Sequence, residues 1–322
     1  MAFGSEFALR IARQSSSTVV ATAPGSFHNV PFVSEGLVTD VPELISDTIR
    51  ARYEPGPSAP GIVSAMGDIV LHPSPDQIGL FAYAAMGIAS STQINSTYRH
   101  IFVPTQVRYT DRIAIQPFTI LKYAGVDTSD FQYTDSCLNR LAIDIVAGQY
   151  LRATANWVCR ISSLVAQSSG TFVEAQEYTW NQASISVGGA AMTDWQSVTL
   201  TIDNGLEMVP TLDGTTVNRL ILRNNFRQIN LSGTADLPDL DEWKTFRAGS
   251  RTPVIITIEG TSIGSGNVET LKFDLPDFRY SAFPIGASGP TRVTVGFQGR
   301  AVYHPGSALA FMVTCINTRA NY

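Results

Sequence analysis

The chain has 322 residues, 44% of them apolar and only 15% charged, with a formal net charge of −5 and a pI near 5.4. That length holds two domains of ordinary size with real cores, and so little charge suits a protein that hides much of its surface against neighbours. Lysine is confined to Lys122, Lys244 and Lys272, and no run of Lys/Arg could neutralise a row of phosphates; tight nucleic-acid binding is excluded, as is a membrane span, which needs roughly 18 consecutive apolar residues.

Residues 1–35 are rich in Ser, Ala and Gly and read as an extended arm that orders only on a partner. The stretch 39–52 suits a strand or a short helix, and Pro42, Pro55, Pro57 and Pro60 mark a long turn region. A strand at 67–71 precedes Pro73, Pro75 and Asp76, a helix start with Asp76 placed to cap free N–H groups. Ile78, Leu80, Phe81, Ala84 and Ala85 follow at helical spacing as a stripe against a sheet, and Gly87 closes the helix. The segment 89–116 is long and mixed. Strand-like runs at 138–145 and 149–161 flank a hairpin turn at 146–149. The inter-domain linker falls within 162–182. Beyond it, 184–187 and the alternating 198–203 are strands, Asn204-Gly205 is a turn, and 206–219 is a protruding loop. Asp236 to Asp239 start a second helix that carries Leu240, Trp243 and Phe246 and ends at Gly249. The runs 254–259 and 270–275 form a hairpin, and 291–303 and 309–317 close the sheet.

The order of these pieces repeats. Residues 61–87 and 220–249 both read as strand, turn, short helix and glycine, and the β-type runs 117–125 and 253–260 follow. Internal repetition points to assembly more than to catalysis. The expected organisation is an extended arm (1–35), a first β domain (36–165), a linker (166–182) and a second β domain (183–322). The expected fold is mainly β: two tandem sandwich or partial-barrel domains, each with a short flanking α-helix.

Motifs for chemistry are weak. Gly260-Thr-Ser262-Ile-Gly264 fits G-x-S-x-G, but that nucleophile turn must lead from strand into helix, and here another strand follows. His28, His72, His100 and His304 lack ligand spacing. Asp236, Asp239, Asp241 and Glu242 sit at a helix start, where the helix dipole favours negative charge. No calcium loop, phosphate loop or dinucleotide fingerprint is present. Cys137, Cys159 and Cys315 are odd in number and far apart, as expected of buried thiols in a reducing compartment. Trp157, Trp180, Trp195 and Trp243 are spread over different elements, as core residues would be. No apolar signal core follows Met1, so export by the standard route is not expected. The residues point to no enzyme and no cofactor.

The order of Gly67-Asp-Ile-Val-Leu71, Ile78-Gly-Leu-Phe81 with Met86-Gly87, Val198-Thr-Leu-Thr-Ile-Asp-Asn-Gly-Leu-Glu207, Gln228-Ile-Asn-Leu-Ser-Gly-Thr234 and the closing Asn317 resembles the tail tube (major tail) proteins of long-tailed bacteriophages. The likeness spans roughly 39–318. It implies a virion protein of the tail, assembled in the bacterial cytoplasm, whose copies form rings that stack into a hollow tube. The tube would house the tape-measure protein, meet tail-tip and tail-terminator proteins, and let DNA pass through an acidic lumen without specific binding. Single-domain relatives form hexameric rings; a tandem chain would give a trimeric pseudo-hexamer. The expected contacts between rings or subunits are Tyr98, Arg99, Phe102, Leu206, Glu207 and Met208, in the segments 89–116 and 204–219. The rival readings are another virion protein (a tail-tip or baseplate ring, or a head decoration protein) and a β-sandwich binding module.

Overall fold

The computed structural model describes residues 3–17, 19–21, 27–106, 114–126, 128–168, 170, 172, 175–264, 266–286, 289 and 292–322. The architecture is mainly β. The first half runs β1 (Ala8–Arg13), β2 (His28–Asn29), β3 (Ser34–Glu35), β4 (Val38–Asp40), β5 (Glu43–Ile45), β6 (Ser58–Pro60) and β7 (Ser64–Leu71), then α1 (Pro75–Met86). It continues through β8 (Gly87–Ile94), β9 (Thr97–Pro104), β10 (Phe118–Tyr123), β11 (Ser129–Val146) and β12 (Arg152–Ala166). The second half runs β13 (Ala183–Val187), β14 (Ala190–Met192), β15 (Trp195–Asp203), β16 (Leu206–Val209), β17 (Leu220–Arg223) and β18 (Gln228–Asp236), then α2 (Asp241–Ala248). β19 (Thr252–Gly264), β20 (Asn267–Ala282), β21 (Thr294–Ala301) and β22 (Met312–Asn317) complete it.

Two long strands organise the sheet, and each divides one edge between two partners. β11 pairs with β12 along its length; its other edge takes β10 over 130–136 and β15 over 140–146. β20 pairs likewise with β19, and its other edge takes β22 over 270–274 and β21 over 278–282. The switch on β11 follows Asp135, a non-glycine residue at φ 51°, and a register shift between Leu138 and Arg140. Such bulges bend a strand and raise its twist. The β11–β15 and β9–β22 ladders carry hydrogen bonding from one half of the chain into the other.

The repeated phrase is visible in this frame. β7 leads to α1 and β18 to α2, and both helices end on a left-handed glycine, Gly87 at φ 90° and Gly249 at φ 63°. The correspondence then shifts. Directly after α1 comes the β8–β9 hairpin, and directly after α2 the β19–β20 hairpin, so by order β8 rather than β10 matches β19.

The helices differ in environment. α1 was expected to flank a sheet on one face, but Ile78 through Met86 are all buried. Its only charge is Asp76, so it has no face that needs water and sits inside the core. Phe81 lies 6.4 Å from the Trp157 ring and Phe118 5.7 Å from it, both edge-on. Each such side chain stabilises the fold by about 1.5–3 kcal/mol relative to exposure. α2 buries none of its residues fully and does flank the sheet, through half-buried Trp243 and Phe246. The start of α1 is not capped as expected. Ser74, not Asp76, is the N-cap of α1, and no side-chain cap bond is made there. At α2, Asp239 accepts the Asp241 N–H at 2.9 Å.

Other expectations are corrected. The N-terminal segment is no free arm: β1 is paired with β10 through six residues, and Leu9, Ile11 and Ala12 are fully buried. The stretch 39–52, read as a strand or a short helix, holds short strands. Within 162–182, residues 162–166 belong to β12, and Tyr178 is buried with its N–H on the Pro73 carbonyl at 2.9 Å. Ser169, at the point expected to be loosest, lies outside the described residues. Trp157 is core, whereas Trp180 is exposed.

Buried polar groups tie distant segments together. Arg160 grips Asp135 with Nε and Nη2 at 2.8 and 2.6 Å, and Gln14 brackets the same aspartate, donating to its carboxylate at 3.0 Å and accepting its N–H at 2.8 Å. The C-terminus is latched onto α1. Asn317 donates to the Pro75 carbonyl at 2.8 Å, and Tyr322 seats against Gly79 beside the His100 and Phe102 rings.

Candidate assembly surfaces

The six residues expected to make inter-subunit contacts fall on two hairpins. Tyr98, Arg99 and Phe102 lie on β9, between β8 and β22. The segment 89–116, read as one long loop, is thus a β-hairpin as far as Pro104; residues 107–113 lie outside the described residues. Arg99 is exposed, Tyr98 half-buried, and Phe102 fully buried as a member of the core. Leu206, Glu207 and Met208 lie on β16, which pairs with β17. Only Glu207 points outward. Leu206 and Met208 pack on a small second core of Ile115, Cys137, Val158 and Ile221. The segment 206–219 is therefore a hairpin strand followed by a short exposed turn, not a free loop, and no ladder joins the two groups.

Asn204 was read as a turn residue at the start of an expected contact segment, and its role inside the fold was missed. It is fully buried and donates to the carbonyls of Ala85 and Leu138 at 2.9 and 3.0 Å. Its side-chain oxygen accepts from Arg227 Nε at 2.9 Å and Arg223 Nη2 at 3.3 Å. This one amide fixes the end of α1, the bend of β11 and the start of the β16–β17 hairpin. An Asn-Gly pair signals a turn in sequence, and nothing local signals the contacts across the fold.

Among the described residues, three surfaces stand out as open. The first is β8, paired only with β9 among the described residues; from Ile88 to Gln93 it is exposed on both faces. The second is the β5–β6 hairpin, a two-stranded ribbon separate from the main sheet. Leu44, Ile45, Ile49 and Tyr53 are exposed along it. The third is a groove between the β17–β18 connection and the β20–β21 ladder, with Arg227, Arg279, Arg300, Phe226 and Tyr303 among its lining. It is continuous with a hollow that includes Arg223. These arginines are scattered in sequence, which is why no basic run announces them.

The titratable groups in the interior are structural. His100 is buried, with Nδ1 at 2.7 Å from Ser91 Oγ and Nε2 at 2.8 Å from the Arg319 carbonyl, an arrangement that suits a neutral ring donating from Nε2. Burial holds its pKa below the usual value. Burial pushes the Cys159 thiol up to about 12 and raises Cys137 and Cys315 as well. Such thiols are inert. Ser262, in the G-x-S-x-G stretch, pairs with Val268 across the β19–β20 hairpin, so strand leads to strand there as expected. Among the described residues no group of three His, Cys, Asp or Glu side chains could hold a metal ion.

Set against models of known protein families, residues 4–301 match the phage tail tube protein family. The chain belongs to that family. The match covers nearly the whole chain, and the mainly β architecture agrees with it. Comparison with curated proteins finds no match. Family membership makes this a structural protein of the phage virion, located in the tail, that self-assembles into a tube.

Proposed function

We propose that copies of this chain close into rings, that the rings stack into a hollow tube, and that the tube houses the tape-measure protein and later conducts DNA toward the host. The observation that supports this reading is the edge of β8 that no strand covers among the described residues. A strand exposed on both faces with unpaired N–H and C=O groups is an aggregation liability in a monomer. In a ring it is an assembly device, because the next subunit can continue the sheet from it. Its exposed side chains, mostly Ser, Thr and Gln, let it wait in water before pairing.

Two divisions of the ring fit the chain. If the repeated strand–helix phrases mark tandem domains at 36–165 and 183–322, three subunits make a pseudo-hexamer; otherwise six whole subunits do. Arg99 and Glu207, the outward members of the expected contacts, would make contacts between rings or subunits. The tail-tip and tail-terminator proteins would meet the last rings at the two ends.

Sedimentation of the purified chain across a concentration range tests the reading. Mass should step from monomer to a ring and then to open-ended polymers. Ala89→Pro, which removes an N–H from the exposed edge because the Thr105–Met86 bond sets the even-numbered residues of β8 facing β9, should hold the chain as monomer with its melting temperature little changed. A wild-type chain that stays monomeric at high concentration would refute the proposal.

A further inference from the structure

The groove beside β17–β18 poses an electrostatic problem that the folded chain does not solve. Arg279 on β20 and Arg300 on β21 are directly opposite each other in the ladder. Like charges in that position repel and destabilise a sheet. Neither takes part in an ion pair or side-chain hydrogen bond among the described residues. Asp277, one pleat along from Arg279, is held by Arg251 at 3.3 Å. Arg279 has one compensation, since its guanidinium lies against Gly249 at the C-terminal end of α2, where a cation is favoured. Deeper in the groove, Arg223 and Arg227 bond the neutral oxygens of Asn204 and Thr105, and no carboxylate among the described residues. Burial and the neighbouring Arg223 bring the Arg227 pKa down to about 9. Four arginines therefore line one depression into which no carboxylate projects among the described residues.

The rest of the lining says what kind of anion would fit. Phe226 is 88% exposed and Tyr303 54% exposed at the mouth. Bare phosphate has no use for them, whereas arginine beside exposed aromatics is the composition of protein–protein hot spots. The occupant should be a protein segment that carries carboxylates and apolar side chains together.

The β5–β6 hairpin is such a segment. Ile49 and Tyr53 at its tip are 96% and 107% exposed, with Leu44 and Ile45 along one leg. From 40 to 60 it carries Asp40, Glu43, Asp47 and Glu54 against Arg50 and Arg52, a balance of −2 where the groove has +4. It is nonetheless a built element. Gly61 donates to the Pro42 carbonyl at 2.7 Å, and a Cβ at Gly56 or Gly61 would meet the opposite leg at 2.8 Å. At about 3.3 Å per residue an extended leg from 42 to 50 reaches roughly 30 Å, enough to cross a subunit boundary.

We infer that the four-arginine groove of one copy receives the β5–β6 hairpin of the next, with Glu43, Asp47 or Glu54 answering Arg279 and Arg300 and Ile49 or Tyr53 seated on Phe226. This rests on the self-assembly proposed above and names the contact that drives it.

The test is a charge exchange. Arg279→Glu with Arg300→Glu, and separately Glu43→Lys with Glu54→Lys, should each raise the concentration needed for assembly at least tenfold. All four substitutions in one chain should bring it back to within about threefold of wild type. The melting temperature of each unassembled variant shows whether it has folded. A second readout needs no charge change: Ile49→Cys mixed with Phe226→Cys should give disulfide-linked dimers on oxidation, since the three native thiols are buried. If the wild type assembles and both reversal variants assemble equally well, the contact is wrong while the tube reading stands. The contact is also overturned if the four-fold variant recovers nothing although folded, or if the cysteine pair never links. Binding of a 20-base-pair DNA duplex that is lost with Arg279→Glu and Arg300→Glu, with assembly unchanged, would give the groove to phosphate instead. A wild type that never self-associates would fail both readings together.

Discussion

Arg160→Ala is the most informative single change to the fold. It removes both donors from Asp135, whose side chain is fully buried, and a further bond at 3.3 Å to the carbonyl of Asn218. Gln14 keeps its bond to the carboxylate at 3.0 Å but, being neutral, does not replace the guanidinium charge. Stripping one partner from a buried ion pair costs about 3–5 kcal/mol, because the remaining charge is left desolvated. At about 2.1 cal/mol/K per residue, a chain of 322 residues has an unfolding entropy of roughly 0.7 kcal/mol/K, so the melting temperature should fall by about 4–7 °C. Scanning calorimetry of the unassembled chain measures this directly. The double variant Arg160→Met with Asp135→Asn should lose less, since no buried carboxylate charge remains and asparagine tolerates the left-handed backbone at φ 51°. A fall below about 1 °C in the single variant, or a double variant worse than the single, would refute the reasoning.

Gly79→Ala should unseat the C-terminus, because the new Cβ would lie 2.2 Å from Tyr322 Cζ; a loss of about 1–3 kcal/mol is expected, and Gly79→Ala with Tyr322→Ala should lose less than the sum of the two single changes. Stability should also depend on pH. Burial holds His28 down to about 4 and His100 below its usual value, whereas an unfolded histidine takes its proton near 6.5. The unfolded chain therefore binds protons first, so stability is full above about pH 6.5 and is lost as pH falls from there toward about 4. His28→Asn should flatten part of that slope in melts between pH 7 and 4.5, and an unchanged slope would contradict it. Ellman's reagent should find no reactive thiol in the native chain and three in denaturant. Arg99→Glu and Glu207→Lys should block tube growth while each monomer stays folded, and normal tubes from both would remove these hairpins from the contact.

Most strands were legible because their cues are local. Val198–Thr–Leu–Thr–Ile alternates with the pleat, and the turn at 146–149 holds Gly148 in the left-handed region that only glycine adopts easily. Both helices announced themselves through their apolar spacing and their closing glycines. What stayed hidden depends on long-range contact. The apolar stripe of α1 fixes a helix but not that it lies inside the core, which follows from strands far away in the chain. Ser, Ala and Gly at the N-terminus suggested disorder, yet Leu9 and Ile11 find a β10 edge more than a hundred residues on. The arginine groove gathers positions 223, 227, 279 and 300, with no sequence period to reveal it. Phe102 was read as a contact from its neighbours Tyr98 and Arg99, but alternation along β9 puts it in the core.

The most direct test of the account is negative-stain electron microscopy of the purified chain at rising concentration, with rotational averaging of top views. Hollow rings that stack into tubes are the predicted result, with three-fold modulation inside a six-lobed ring if the two halves are tandem domains and six equal subunits if they are not. A particle that remains a single compact monomer at every concentration would contradict it.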